Sequence, residues 1–291
     1  MSKPTSKVRN KQPEGWTPLP SNKADVARAE RIPETPQSTS PSYRLAFADV
    51  DFLGREELRP VRLQLELLKT EMLLAEYGII STVVLFGGSR IPAPGMPART
   101  AKGETQKKNL EAASVYYEEA RKFAAICSTF SASLDHHEYV IVTGGGPGVM
   151  EAGNRGAADV GAPTIGFNIL LPHEQAPNPY VTPELAFNFH YFAIRKMHFL
   201  MRAKAVVVFP GGFGTMDELF ETLTLIQTKR LAAIPLILFG RAFWHNIINF
   251  EALAEFGTIS VEDLNLLSFV ETADEAWRVI ADHYGISDEE T

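Results

Sequence analysis

From about residue 79 onward, short continuous apolar runs alternate with longer stretches whose apolar positions recur at helical spacing. The runs at 79–86 (IISTVVLF), 139–143 (YVIVT), 163–167, 205–209 (AVVVF) and 235–239 (PLILF) are rich in β-branched residues and read as strands. A further short strand is predicted at 185–189. The intervening segments 109–134, 149–160, 192–203, 215–229, 243–256 and 273–284 read as helices. Upstream, residues 62–77 place Leu63, Leu65, Leu67, Leu68, Met72, Leu73 and Leu74 among charges, the pattern of an amphipathic helix with a broad apolar face. Strands that are apolar throughout, separated by helices, predict a parallel sheet covered on both faces. The expected fold is α/β, a Rossmann-like doubly wound parallel sheet with helices on both faces. No internal repeat is evident.

The first 42 residues break this pattern. They hold seven of the nineteen prolines, many Ser, Thr and Lys, and few apolar residues. Such composition buries too little surface to offset ordering entropy. The expected organisation is a disordered or loosely docked arm at 1–42, a helical extension at 43–78 and a Rossmann-like nucleotide-binding catalytic domain at 79–291.

Composition narrows the classes further. The chain of 291 residues is 45% hydrophobic and 22% charged, ordinary for a globular protein. No apolar run reaches the length of a membrane-spanning helix, and the basic start lacks the apolar stretch of a secretory signal, so a cytoplasmic protein is expected. Net charge of -7 argues against nucleic-acid binding, which favours a basic face. The single cysteine, Cys127, lies in an apolar helical stretch without an activating neighbour and reads as a buried structural thiol.

In a doubly wound sheet, ligands bind outside the carboxyl ends of the strands. Three glycine-rich turns fall at such ends: Phe86-Gly87-Gly88-Ser89-Arg90, Thr143-Gly144-Gly145-Gly146-Pro147-Gly148 and Pro210-Gly211-Gly212-Phe213-Gly214-Thr215. Glycine lets backbone approach a ligand closely, and a helix N-terminus offers free N–H groups to an anion. One such turn is as well explained by a tight strand-to-helix connection. Three on one edge point to a phosphate or nucleotide pocket formed by Gly87, Ser89, Gly144, Gly145, Gly146, Gly148, Val149, Gly211, Gly212, Gly214 and Thr215. GxxxxGK[ST], GxGxxG, HExxH and GxSxG are all absent, which argues against P-loop, dinucleotide, zinc-protease and hydrolase-elbow chemistry. The histidines show no metal spacing, and neither metal nor cofactor is expected.

After the third turn, Asp217, Glu218 and Glu221 crowd the start of a helix. Acidic residues there are favoured by the helix dipole alone. Glu218 and Glu221 are three apart and share a face, with Asp217 expected to point elsewhere. Arg195-Lys196, just before the AVVVF run, reads on spacing alone as a solvated helix face.

Taken together, GGGPGVMEAGNRGA (residues 144–157), PGGFGTMDE (210–218) and the intervening Arg195-Lys196 resemble the Lonely guy family over roughly residues 79–240. These are cytokinin-type nucleoside monophosphate phosphoribohydrolases once widely labelled lysine decarboxylases. The resemblance implies hydrolysis of the N-glycosidic bond of a nucleoside 5′-monophosphate to free base and ribose 5-phosphate. It places the family's glutamate on Glu218 and its arginine on Arg195, as catalytic residues. It places a further acidic contact on Glu174 in Leu171-Pro172-His173-Glu174, and adds Lys196 and Asp217 to the substrate-binding set. It also implies a homodimer or higher even oligomer. The apolar residues around the helix near 188–202 point the same way, unless the upstream helix at 62–77 covers them within one chain. The chain departs from the short plant-type members in its N-terminal 78 residues, its tail beyond about 240 and a Pro-rich loop at 91–103. The base therefore stays open among adenine, other bases and isoprenylated adenine. A lysine decarboxylase would need pyridoxal phosphate and a Schiff-base lysine, for which no site is recognisable. A nucleotide-binding sensor using the same pocket without turnover is the alternative from another class.

Overall fold

The computed structural model describes residues 21–171 and 176–287, and the chain divides into two units at Arg62/Leu63. In the first unit, α1 (Asn22–Ala29) is capped by the Ser21 side chain, and α2 (Val50–Leu53) by Asp49, which accepts from the Asp51 and Phe52 amides. Neither helix buries a residue. Helix α3 (Arg59–Tyr77) starts in the first unit and continues in the second.

The second unit is built on β1 (Thr82–Phe86), β2 (Val140–Thr143), β3 (Ile165–Ile169), β4 (Ala186–Phe189), β5 (Ala203–Val208), β6 (Leu236–Phe239) and β7 (Ser268–Val270). These form one seven-stranded sheet in the order β4-β3-β2-β1-β5-β6-β7, and every neighbouring pair is parallel. The doubly wound α/β fold read from the apolar runs is therefore present. The chain winds outward from β1 to β4, then returns to lay β5, β6 and β7 on the other side of β1. That reversal puts the switch point, and the crevice that goes with it, at the carboxyl ends of β1 and β5.

The helices are α4 (Glu104–Ala112), α5 (Ser114–Ala132), α6 (Val149–Asp159), α7 (Phe192–Met201), α8 (Phe213–Gln227), α9 (Arg241–Ile247), α10 (Phe250–Glu255) and α11 (Ala273–Tyr284). One core joins alternate strand residues such as Val83, Leu85 and Ile141 to Phe123 of α5, Ala152 of α6 and Trp277 of α11. The other joins Val84, Val142 and Phe167 to Leu74 of α3, Phe199 of α7, Leu219 of α8 and Trp244 of α9. Cys127 is fully buried, its thiol directed at the Tyr139 carbonyl and its pKa pushed well up by burial.

Two expected helices are each a pair. The 109–134 stretch lies in α4 and α5, divided at Ala113. The 243–256 stretch lies in α9 and α10, divided where Ile248 turns extended (φ -133, ψ 124) and the Asn249 side chain caps the second helix by accepting from the Ala252 amide. Periodicity runs through both breaks, so it reports the buried face but not the interruption. Strand β7, three residues long at the sheet edge, was not anticipated: it is too short to show a pattern.

Candidate functional site

The three glycine turns lock together at the carboxyl edge, with Gly88 as pivot. Its amide donates to the Pro210 carbonyl at 2.9 Å, and its carbonyl accepts from the Val149 amide at 3.2 Å. A Cβ on Gly148, which has φ +70, would lie 2.4 Å from the Gly88 oxygen, and one on Gly87 2.5 Å from Val149. Glycine at 148 lets two backbones meet, and glycine at 87 leaves room for the Val149 side chain. Gly144, Gly145, Gly146 and Gly148 are buried, whereas Ser89, Gly212 and Gly214 are exposed. Val149 is buried and its amide is committed to Gly88, so its contribution is to seat the turn. Thr215 is buried, its hydroxyl packed against Gly211.

A buried polar network that the sequence did not announce holds the second turn from behind. Thr143 Oγ1 donates to Asn154 Oδ1 at 2.7 Å and accepts from the Gly145 amide at 2.9 Å. Asn154 Nδ2 donates to Thr164 Oγ1, and Asn178 Nδ2 donates to Asn154 Oδ1 and to the Gly146 carbonyl. The Asn168 amide lies under Gly145, where a Cβ would stand 2.2 Å from its Oδ1. The bonds of Asn154 and Asn178 rigidify the turn, because a buried amide left unpaired is costly, whereas Asn168 Oδ1 is buried without a hydrogen-bond partner. The available signal was an asparagine inside the apolar face of α6, and it is weak without the fold.

Arg195 and Lys196 on α7 reach this edge. Arg195 Nε donates to the Phe167 carbonyl at 2.7 Å and its guanidinium stands 5.1 Å from the Phe199 ring centroid. Lys196 Nζ lies 3.0 Å from both Asp217 carboxylate oxygens and 3.0 Å from Glu221 Oε2. Burial opposes the Lys196 charge, but the Asp217 and Glu221 contacts outweigh it and hold the ammonium above its usual pKa. The pair is thus not a solvated helix face. Nor does Asp217 point away from its neighbours, since one lysine ties it to Glu221 one helical turn on.

Glu218 lies beneath this ion cluster, in the first turns of α8, only 7% exposed. Burial raises its pKa to about 7, against the pull of Lys196 and Arg195 and with a smaller push from Glu221 and Asp217. A carboxyl titrating near neutrality at the carboxyl edge of a sheet is what general acid–base or electrostatic catalysis uses. Glu174 lies outside the described residues. Among the described residues, no group of three or more His, Cys, Asp or Glu side chains is placed to hold a metal ion, and no helix is long and apolar enough to cross a membrane.

Three glycine turns interlocked at the switch point of a parallel sheet are the pattern of a nucleotide-related α/β fold. Residues 150–280 match the family described as possible lysine decarboxylase, which bears out the resemblance to the Lonely guy family carried by the two glycine motifs. No curated protein matches the chain. Three similar solved structures are TM1055, a molybdenum cofactor binding protein from the phototrophic bacterium Rippkaea orientalis, and the molybdenum cofactor carrier protein of Chlamydomonas reinhardtii. TM1055 is 21% identical, covering 69% of this chain and 99% of that one with a TM-score of 0.45. The Rippkaea protein is 17% identical, covering 70% and 97% with a TM-score of 0.46. The Chlamydomonas protein is 21% identical, covering 71% and 97% with a TM-score of 0.43.

Proposed function

We propose that the protein hydrolyses the N-glycosidic bond of a nucleoside 5′-monophosphate, releasing the free base and ribose 5-phosphate. The observation that carries this reading is the buried Glu218 carboxyl, set behind a glycine turn with Arg195 and Lys196 on the adjacent helix. Cleavage of an N-glycoside builds oxocarbenium character at C1′, as glycoside hydrolysis does. Glu218, as carboxylate, stabilises that charge and orients the attacking water. The water oxygen adds to C1′ as the C1′–N bond breaks, and the departing base takes up the proton. Arg195 stays charged at any relevant pH, so its part is to hold the substrate or to stabilise the leaving base. The exposed 211–214 turn and the N-termini of α6 and α8 receive the 5′-phosphate through backbone N–H groups, with the Thr215 hydroxyl beside them.

The test is a panel of nucleoside monophosphates, AMP and isoprenylated AMP included, assayed for free base. Base release supports the reading. Binding of AMP with no release from any member identifies a nucleotide-binding protein without turnover.

A further inference from the structure

We propose that α3 is part of the catalytic apparatus: Glu66 and Glu71 are positioning residues that fix both ends of α7, and so hold Arg195 and Lys196 beside Glu218. The inference rests on the reaction proposed above and adds to it a pair of residues that touch no substrate.

The need for such a device follows from the layout. The two cations ride on α7, whereas the carboxylates they face, Asp217, Glu218 and Glu221, ride on α8. With ten residues, α7 is too short to hold its own geometry and depends on packing and end contacts. Its N-cap residue, Tyr191, supplies no side-chain cap. The Glu66 carboxylate replaces it, accepting from the His190 amide at 2.5 Å and the Tyr191 amide at 3.2 Å. A negative charge there also meets the positive end of the helix dipole. One turn further on is Arg195, whose own amide bonds back to the Tyr191 carbonyl.

The other end is held by the same helix α3. Arg202, the C-cap of α7, makes a forked pair with Glu71, Nη1 to Oε1 at 2.5 Å and Nη2 to Oε2 at 2.9 Å. His198 Nδ1 lies 3.2 Å from the same carboxylate, and its ring is buried against Phe167 and Phe189. The Arg202 contact is the largest influence on Glu71 and holds its pKa below the usual carboxylate range; burial lowers that of His198. Forked, part-buried pairs of this kind fix geometry in a way that exposed ion pairs do not. If α3 served only to cover the core, Leu63, Leu67 and Leu74 on its inner side would suffice. They do not account for carboxylates at both termini of one particular helix, the one that carries the site's cations.

The test reads the charge environment of Glu218 in the full chain. Arg195 and Lys196 hold its pKa down, against burial, Glu221 and Asp217. If α7 drifts, their pull weakens. In Glu66→Ala and Glu71→Ala, and in the milder Glu66→Gln and Glu71→Gln should the first pair fold poorly, the carboxyl-carbon NMR titration of Glu218 should move upward by about half a unit or more. The ascending limb of the pH–rate profile for base release should move with it, so that activity recovers at higher pH. Leu67→Ala, which loosens the same helix without touching α7's ends, should lower the melting temperature and leave both titrations in place. Unchanged Glu218 titration in all four glutamate variants would overturn the proposal, whatever their stability. An absence of base release from the unaltered protein would sink the proposed reaction instead, and the NMR arm would still decide whether Glu66 and Glu71 position the cations.

Discussion

The guanidinium of Arg195 occupies space that a side chain on Gly144 would need: a Cβ on Gly144 would lie 2.7 Å from Arg195 Nη2. The glycine turn and the arginine therefore define each other's place. Gly144→Ala should displace Arg195 and lower kcat/KM for base release roughly tenfold or more, about 1.4 kcal/mol of transition-state stabilisation. Its effect on the melting temperature should be small, because the obstacles are the movable ends of Arg195 and Met150. Steady-state kinetics and thermal melts on one preparation check this.

Gly214→Ala is the converse case. Apart from its chain neighbours and the helix's own backbone, nothing lies within 4 Å of the added Cβ, and the position is in the first turn of α8. Folding should be unharmed, with a gain of up to about 1 kcal/mol from helix propensity. If the 5′-phosphate seats there, AMP binding by calorimetry should still weaken.

Glu218→Gln should lower turnover more than about a hundredfold, the loss of about 3 kcal/mol of transition-state stabilisation. Base release by the unaltered protein should rise as pH passes through about 7, where Glu218 ionises. Stability should run the other way. A carboxyl whose folded pKa is raised binds more protons folded than unfolded, so its stability contribution is lost as pH climbs from the unfolded value to about 7. Relative to the unaltered chain, the Gln variant should melt higher at pH 8 than at pH 5, and equal differences at the two pH values would contradict the burial argument.

Adenosine should be a far poorer substrate than AMP if the exposed backbone of residues 212–214, at the N-terminus of α8, receives the 5′-phosphate, since a neutral nucleoside has no anion to place there. Equal rates of base release would show that the turns serve only the chain reversal.

Exposed apolar side chains gather on α3, α7 and α8: Leu68 and Met72, Met197 and Met201, and Phe213 and Phe220. Phe213 is 96% exposed and borders an open groove of about 630 Å³ with Lys196, Met216 and Asp217. Helix α3 leaves Phe192, Met197 and Met201 exposed, so cover within this unit does not dispose of the apolar surface of α7. A homodimer or higher even oligomer is expected by light scattering at micromolar concentration; a mass near one chain would contradict it.

Gly156 tests the fold rather than the site. A Cβ there would lie 2.0 Å from the Arg121 carbonyl and 2.9 Å from Ala124 Cβ, where α5 and α6 pack face to face. Gly156→Ala should cost roughly 1–3 kcal/mol by forcing the helices apart, measurable by chemical denaturation.

The apolar runs determined the inner strands β1, β2, β3, β5 and β6, and the helices between them their parallel sense, because a strand buried on both faces is apolar almost throughout; the edge strand β7 left no such run. The glycines at three strand ends likewise marked turns that the structure brings together at one edge of the sheet. Asp217 and Glu218 were legible because charge beside a glycine turn is visible in one dimension, whereas Arg195 and Lys196 were marked only by the family resemblance and read on spacing as a solvated helix face. Only the tertiary structure decided which of them is buried and which is paired. That Lys196 ties Asp217 to Glu221 while Glu218 titrates near neutrality depends on how α7 lies against α8, and no local spacing encodes the distance between two helices. Thr143, Asn154 and Asn178 converge from three segments on one turn, and Glu66 and Glu71 reach α7 from more than a hundred residues away. Such contacts exist only once the chain has closed on itself, because a hydrogen bond is fixed by position in space rather than by order along the sequence.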